Sequence, residues 1–168
     1  MNWSAERNRT VFILCGIVVI ILAAVLLVFG GKQSEPPKLT VSNEYGNKIS
    51  AQRGTYNWKH GSSDVIADSA GPLALYNLGE LPGIEASEND DYSLTLKFGK
   101  DPQSVTVVIY PVSAARTEDY TTIMQREPVG KQSEYKFSIP SDSDERFVVS
   151  VLATWTEGEA YYYFYTTP

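Results

Sequence analysis

The sequence predicts an all-β protein: an immunoglobulin-like antiparallel β-sandwich preceded by one N-terminal transmembrane helix. Three observations predict this class. Residues 11–29 form an uninterrupted apolar run of nineteen residues. From residue 39 onward, apolar and polar side chains mostly alternate with a period of two, which is typical of strands. Turn-forming residues separate seven or eight such segments at intervals of about 8 to 20 residues, a spacing that favours a sandwich.

The apolar run contains no charge, amide or proline. As a helix rising about 1.5 Å per residue it would be roughly 28 Å long, close to the thickness of the hydrocarbon layer of a membrane. A cleaved signal peptide is the alternative, but its apolar core is usually about 7 to 15 residues long and ends at a small-x-small site. No Ala-x-Ala sequence follows this run.

The charges beside the apolar run predict its orientation. Arg7 and Arg9 immediately precede it, which favours a cytoplasmic N-terminus and an extracellular C-terminal domain. The predicted organisation is therefore a cytoplasmic tail (1–10), a transmembrane helix in contact with membrane lipid (11–29), a linker (30–38) and an extracellular β-sandwich (39–168). The predicted location is the cell membrane, with a single pass.

Composition argues against several classes of function. The formal net charge is −6 and the pI is near 4.8, so attraction to a phosphate backbone is missing and nucleic acid is not expected as a partner. One Cys cannot form an internal disulfide. One His cannot supply a multi-histidine zinc site, and Ser-His or Cys-His nucleophile systems are poorly supported. We expect no cofactor, no metal and no enzymatic activity.

The alternation predicts long strands over 91–98, 105–112, 135–139, 147–155 and 160–167, and shorter strands over 39–42, 48–53 and 55–59. The first two long strands are predicted to form a hairpin through the Gly, Asp and Pro residues between them. The last two are predicted to form another through Glu157, Gly158 and Glu159. Residues 113–133 fit either a helical turn or an irregular sheet edge.

A short motif carries a family resemblance. Residues 54–58 read Gly-Thr-Tyr-Asn-Trp, a loop with Asp68 and Pro72 follows, and the chain ends in an aromatic hairpin. This pattern resembles a family of small secreted or membrane-anchored proteins of Gram-positive bacteria that has a G-[ST]-Y-x-W motif, an immunoglobulin-like sandwich and no assigned activity. Members often carry Cys where this chain has Asn57 and Ile66, so any disulfide of theirs at these positions is absent here. The resemblance implies compartment and architecture only.

Four residues are candidates for binding a ligand: Tyr56, Trp58, Asp68 and Tyr163. Exposed aromatic rings stack on sugars and peptides, and tyrosine hydroxyls add hydrogen bonds. Trp58 fits either the core or the surface, whereas Trp155 is expected in the core. The last strand carries tyrosines at alternating and adjacent positions, so one of its faces is expected to meet the core and the other water or a partner.

Acidic residues leave two further possibilities open. Asp64, Asp68 and the residues 88–91 form one group, and Asp142, Asp144 and Glu145 form another. Either could hold Ca²⁺ or supply a glycosidase-type carboxylate pair, although acidic residues in turns are most often solvated or capping groups.

The sequence therefore predicts a membrane-anchored extracellular binding or accessory module with a protein or glycan partner. One alternative is a subunit of a larger membrane assembly, held by the small residues Gly16, Ala23 and Gly30. The other is an envelope enzyme that uses paired carboxylates.

Overall fold

A computed structural model describes residues 34–85, 92–139 and 146–167. The predicted transmembrane helix (11–29) lies outside these ranges, as do the predicted tail and the start of the linker. Within the described ranges no helix has the length and apolar character that crossing a bilayer requires. The chain divides into two units, and the second, residues 35–168, contains the fold described below.

The described ranges contain eleven strands and two short helices. The strands are β1 (Leu39–Ser42), β2 (Lys48–Ser50), β3 (Gln52–His60), β4 (Ser63–Ala67), β5 (Gly83–Glu85), β6 (Ser93–Phe98), β7 (Ser104–Pro111), β8 (Gln125–Pro128), β9 (Tyr135–Ser138), β10 (Phe147–Trp155) and β11 (Gly158–Thr167). The helices are α1 (Pro72–Asn77) and α2 (Val112–Ala115).

The strands form two sheets. The small sheet has the order β2-β1-β6-β9, and the large sheet has the order β4-β3-β11-β10-β7-β8. Neighbours along both orders pair antiparallel. The short strand β5 adds a parallel pairing to the C-terminal end of β11. The predicted all-β architecture of antiparallel sheets is confirmed.

One hydrophobic core contains side chains from both sheets. The large sheet contributes every second residue of β10, from Phe147 to Trp155, as the alternation predicts. The small sheet contributes Leu39 and Val41 of β1 together with Leu94, Leu96 and Phe98 of β6. Burial of alternate residues from two sheets is what holds a sandwich together, because each sheet has one apolar face.

Aromatic rings meet edge to face in this core. Trp155 lies 5.5 Å from Trp58 and 5.7 Å from Phe98, measured between ring centroids. Phe98 also contacts Tyr135 and Tyr162 at 5.7 and 6.0 Å. These T-shaped arrangements bring the positive edge of one ring to the negative face of the next. Strands from both sheets are therefore joined through Phe98.

A second apolar cluster lies on the other face of the large sheet. Leu73 and Leu75 of α1 pack there with Tyr110, Val148 and Tyr163 from the sheet. Helix α1 begins with Pro72 at its first position, where a missing N–H costs no helical hydrogen bond. Part of the outer face of the large sheet is thus covered by local helices.

The predicted hairpin of 91–98 with 105–112 is wrong. β6 pairs with β1 and β9 in the small sheet, whereas β7 pairs with β10 and β8 in the large sheet. Residues 99–103 therefore carry the chain from one sheet to the other. A period of two identifies a strand and its apolar face, but it does not identify the strand's partner. The other predicted hairpin, β10 with β11, is confirmed.

Several elements were not predicted. Strands β4 and β5 and helix α1 are short, and short segments carry few repeats of any period. In the ambiguous segment 113–133, the residues that suggested a helical turn, from Glu118 to Met124, lie in no helix; the short helix α2 precedes them and the edge strand β8 follows them.

The end of the predicted linker packs on the sandwich. The guanidinium of Arg53 donates to the carbonyl oxygen of Pro36 at 2.9 Å and to the carboxylate of Glu35 at 2.5 Å. The hydroxyl of Tyr162 donates to the carbonyl oxygen of Pro37. Both prolines are buried. The folded unit therefore includes four residues ahead of Leu39.

We expect Gly158→Ala to lower the free energy of unfolding by about 3 kcal/mol. Gly158 has a φ of 151°, and a Cβ there would lie 2.0 Å from the carbonyl oxygen of Asn57, which is backbone and cannot move aside. Gly130→Ala is the control, because a Cβ at Gly130 meets nothing within 4 Å. Urea unfolding followed by tryptophan fluorescence measures both, and equal stability of the two variants would contradict this account of the hairpin.

Candidate interaction surface

The four residues predicted to bind a ligand lie in different layers. Trp58 belongs to the core between the sheets, and Tyr56 packs against the same core. Tyr163 belongs to the cluster on the opposite face of the large sheet. Asp68 is exposed just after β4. The structure therefore does not bring the four together into one site.

Trp58 is part of the core. Its side chain has no exposed surface, and its ring contacts Trp155. The sequence allowed Trp58 either in the core or at the surface, and the structure places it in the core. A ligand could reach this ring only if the sandwich opened, so Trp58 acts as a packing residue.

Tyr56 is half-buried and already has a cationic partner. The guanidinium carbon of Arg53 lies 5.2 Å from the centroid of its ring, within the range of a cation–π interaction. The same guanidinium holds Glu35 and Pro36. The face of Tyr56 is thus occupied by the group that fixes the start of the folded unit.

Tyr163 is packed against Gly54, the first residue of the G-[ST]-Y-x-W motif. A Cβ at Gly54 would lie 2.2 Å from the Tyr163 ring, so the glycine is required for this ring to approach β3 so closely. Burial, together with the neighbouring Tyr161, Tyr120 and Tyr110, raises the pKa of Tyr163 to about 12. Its hydroxyl is therefore neutral at physiological pH, and only 4% of the residue is exposed.

Other tyrosines extend this layer toward solvent. Tyr120 is 39% exposed and meets Tyr110 edge to face at 6.0 Å. Its hydroxyl lies against Gly71, where a Cβ would be 2.2 Å away. Burial raises the pKa of Tyr110 as well. Through these contacts the loop before α1 packs against the loop after α2. Most of the surface of Tyr110 and Tyr120 is therefore used in packing.

The described surface includes two concave regions whose lining residues bear on the predicted site. One, of about 220 Å³, is lined by Tyr76, Gly79, Leu81, Arg146 and Tyr165. The other, of about 240 Å³, lies at the tip of the β10–β11 hairpin. Its lining includes Lys59, Glu157 and Glu159, and Glu157 is paired with Lys100. Neither region is lined by Asp64 or Asp68.

The acidic residues considered above as Ca²⁺ ligands or as a carboxylate pair lie partly inside and partly outside the described ranges. Residues 88–91 and 142–145 lie outside the described ranges. Among the residues that the structure does describe, no three His, Cys, Asp or Glu side chains come together as metal ligands. Asp64 and Asp68 are both exposed.

The free edges of the two sheets differ in how they are protected. β2 and β9 end the small sheet and contain Lys48 and Lys136, and β8 ends the large sheet with Arg126 and Pro128. Lysine, arginine and proline on an edge strand discourage the addition of another strand. β4, with the sequence Ser-Asp-Val-Ile-Ala, ends the large sheet on its other side and has none of these residues, although it carries Asp64. The three-residue strand β5, which pairs with β11 alone, also has none of them.

Ile66 makes the edge of β4 apolar. It is 68% exposed, the largest value among the large hydrophobic side chains of the described ranges. Sequence reasoning missed β4, although Gly61 and Ser62, between the predicted strand that contains Trp58 and the β-branched pair Val65 and Ile66, are a signal for a two-residue hairpin turn. Gly61 adopts a φ of 65°, as that turn requires. We call the outward side of β4, with Asp64, Ile66 and Asp68, the open edge.

Comparisons with protein-family models, with curated proteins and with solved structures found no match. The resemblance to the Gram-positive family with the G-[ST]-Y-x-W motif therefore stays a prediction.

We expect the free energy of unfolding to fall as the pH rises from about 10 to about 12. An unfolded tyrosine ionises near its ordinary pKa of 10.0, whereas folded Tyr163 keeps its proton up to about 12. Within that window the folded state binds more protons, so alkali favours unfolding, and below pH 10 the full stability is present.

Tyr163→Phe should reduce this pH dependence, which urea unfolding at several pH values measures. It should not abolish it, because burial also raises the pKa of Tyr92 and Tyr162. Val148→Ala is the control, since it removes a neighbour from the same cluster without removing a titratable group. An unchanged slope in Tyr163→Phe would show that this hydroxyl is not buried.

Proposed function

We propose that the protein is a membrane-anchored binding or accessory module that presents its sandwich outside the cell and recognises a protein partner. The observation that carries this proposal is the uncharged apolar run at residues 11–29, followed after a few residues by a folded unit that begins at Glu35. A run of this length suits a bilayer, and Arg7 and Arg9 favour a cytoplasmic N-terminus. The sandwich would then be held close to the lipid surface.

We also propose that the sandwich is immunoglobulin-like. Strands β1, β6 and β9 would correspond to A, B and E, and strands β7, β8, β10 and β11 to C, C′, F and G. Three features support this assignment: the chain changes sheets between β6 and β7, β9 returns beside β6, and β10 lies between β7 and β11. Residues 43–91 would be an insertion between A and B that widens the large sheet with β3 and β4.

A protein partner fits the surface better than a glycan. Sugar recognition uses exposed aromatic faces. Of the aromatic residues predicted to bind a ligand, Trp58 and Tyr163 are buried, and Arg53 lies over one face of Tyr56. An edge strand that has no Lys, Arg or Pro and exposes an isoleucine between two carboxylates instead suits a basic polypeptide. The envelope-enzyme and membrane-assembly alternatives have no such feature in the described residues in their favour.

Site-specific labelling tests the proposed topology. In a Cys15→Ser background, Ser62→Cys lies in the exposed turn between β3 and β4, and Ser4→Cys lies in the predicted tail. We expect a membrane-impermeant maleimide to label the first variant in intact bacterial cells and the second only after permeabilisation.

The fractionation of the same cells is the companion measurement. We expect the full-length chain to stay with the membranes after alkaline carbonate extraction. Labelling in the reverse order, or a shortened chain in the medium that starts after residue 31, would contradict the anchored topology.

A further inference from the structure

We propose that the open edge of β4 binds an extended segment of a partner protein by strand addition, and that this segment has a basic-x-apolar-x-basic pattern. The proposal rests on the proposed function in one respect, since it names the partner class of that binding module. It is carried by the backbone pairing of β4, by the exposure of its side chains and by the charges beside them.

The backbone pairing shows which groups of β4 are available. The N–H of Lys59 donates to the carbonyl oxygen of Glu157, on the β11 side of β3. In an antiparallel strand, alternate residues bond to opposite neighbours, so Trp58 and His60 bond toward β4. Their partners in the register are Val65 and Ser63.

It follows that Asp64 and Ile66 direct their N–H and C=O groups away from β3. No strand in the described ranges pairs with that side of β4. Two residues therefore offer two donors and two acceptors to an added strand. Because the added strand would use only these outward groups, it would leave the β3–β4 ladder intact.

The side chains indicate what an added strand should carry. Asp64, Ile66 and Asp68 are exposed, whereas Val65 and Ala67 between them are half-buried. This alternation places the exposed side chains on one face, with the isoleucine between two carboxylates. An antiparallel strand would match that face with an apolar residue opposite Ile66 and a basic residue two positions to each side.

Charge argues for a basic partner and against a second copy. Residues 39–168 carry 18 acidic and 10 basic side chains, so two copies repel each other. A symmetric pairing with Ile66 opposite Ile66 would also place Asp64 opposite Asp68, a like-charge pair across strands. Lys59 of β3 lies opposite Asp64 in the β3–β4 ladder, on the side away from the open edge. Among the ion pairs of the described ranges, none joins Lys59 to Asp64.

A fluorescent heptapeptide tests the proposal. The probe is Thr-Lys-Thr-Val-Thr-Lys-Thr, and its control has Glu in place of both Lys. Anisotropy is measured with the full-length chain in a nonionic detergent. We expect the Lys peptide to bind and the Glu peptide to bind at least about tenfold more weakly, because the latter places carboxylates beside Asp64 and Asp68.

Matched variants locate the binding. Ile66→Lys should weaken binding of the Lys peptide at least about tenfold, whereas Leu78→Lys, which adds the same charge at an equally exposed residue (67%), should leave it unchanged. The double variant Asp64→Lys/Asp68→Lys should prefer the Glu peptide. All these side chains are exposed, so thermal unfolding should match that of the wild type and show that the fold is retained.

Several results would overturn the proposal: no binding of the Lys peptide, equal binding of the two peptides, or equal effects of Ile66→Lys and Leu78→Lys. Sedimentation that shows dimers of the wild type but not of Ile66→Lys would instead assign the edge to a second copy. Peptide binding does not depend on membrane orientation. If the Lys peptide does not bind but Ser62→Cys is labelled in intact cells, strand addition alone is rejected. If the Lys peptide binds but Ser62→Cys is labelled only after permeabilisation, the extracellular location alone is rejected.

Discussion

Strand β11 carries large side chains on both of its faces, and this constraint shapes the rest of the molecule. Tyr162 and Phe164 point into the core between the sheets, whereas Tyr163 lies on the opposite face of the same strand. A strand with two apolar faces is stable in water only if both faces are covered. The small sheet covers the inner face, and helix α1 with its flanking loops covers part of the outer face.

The same constraint explains why few aromatic rings are left for a ligand. Strand β3 lies directly beside β11, and two residues of its motif are used in packing. Gly54 makes room for the ring of Tyr163 on β11, and Trp58 packs in the core. The large sheet then ends one strand further out, at β4. The strand addition proposed above would accordingly use backbone groups at this edge, with Ile66 and two carboxylates giving the selectivity.

The sequence was a good guide to the strands and a poor guide to their partners. Alternation identified β10 and β11 and the inward face of β10, because a period of two is a local property. Whether β6 pairs with β7 or crosses to another sheet depends on contacts that are distant in sequence, and the turn residues between them fit both. The placement of Trp58 was open for the same reason. The open edge was missed because five residues with two β-branched side chains give only a weak local signal.

Amide hydrogen exchange measured by NMR on the full-length chain tests this account most directly. Backbone pairing predicts slow exchange along β10 and β11. Along β4 it predicts alternation, with slow exchange at Val65 and Ala67 and fast exchange at Asp64 and Ile66, whose N–H groups meet solvent. Slow exchange at Asp64 and Ile66 in the absence of any partner would show that this edge is already covered, and would contradict the account.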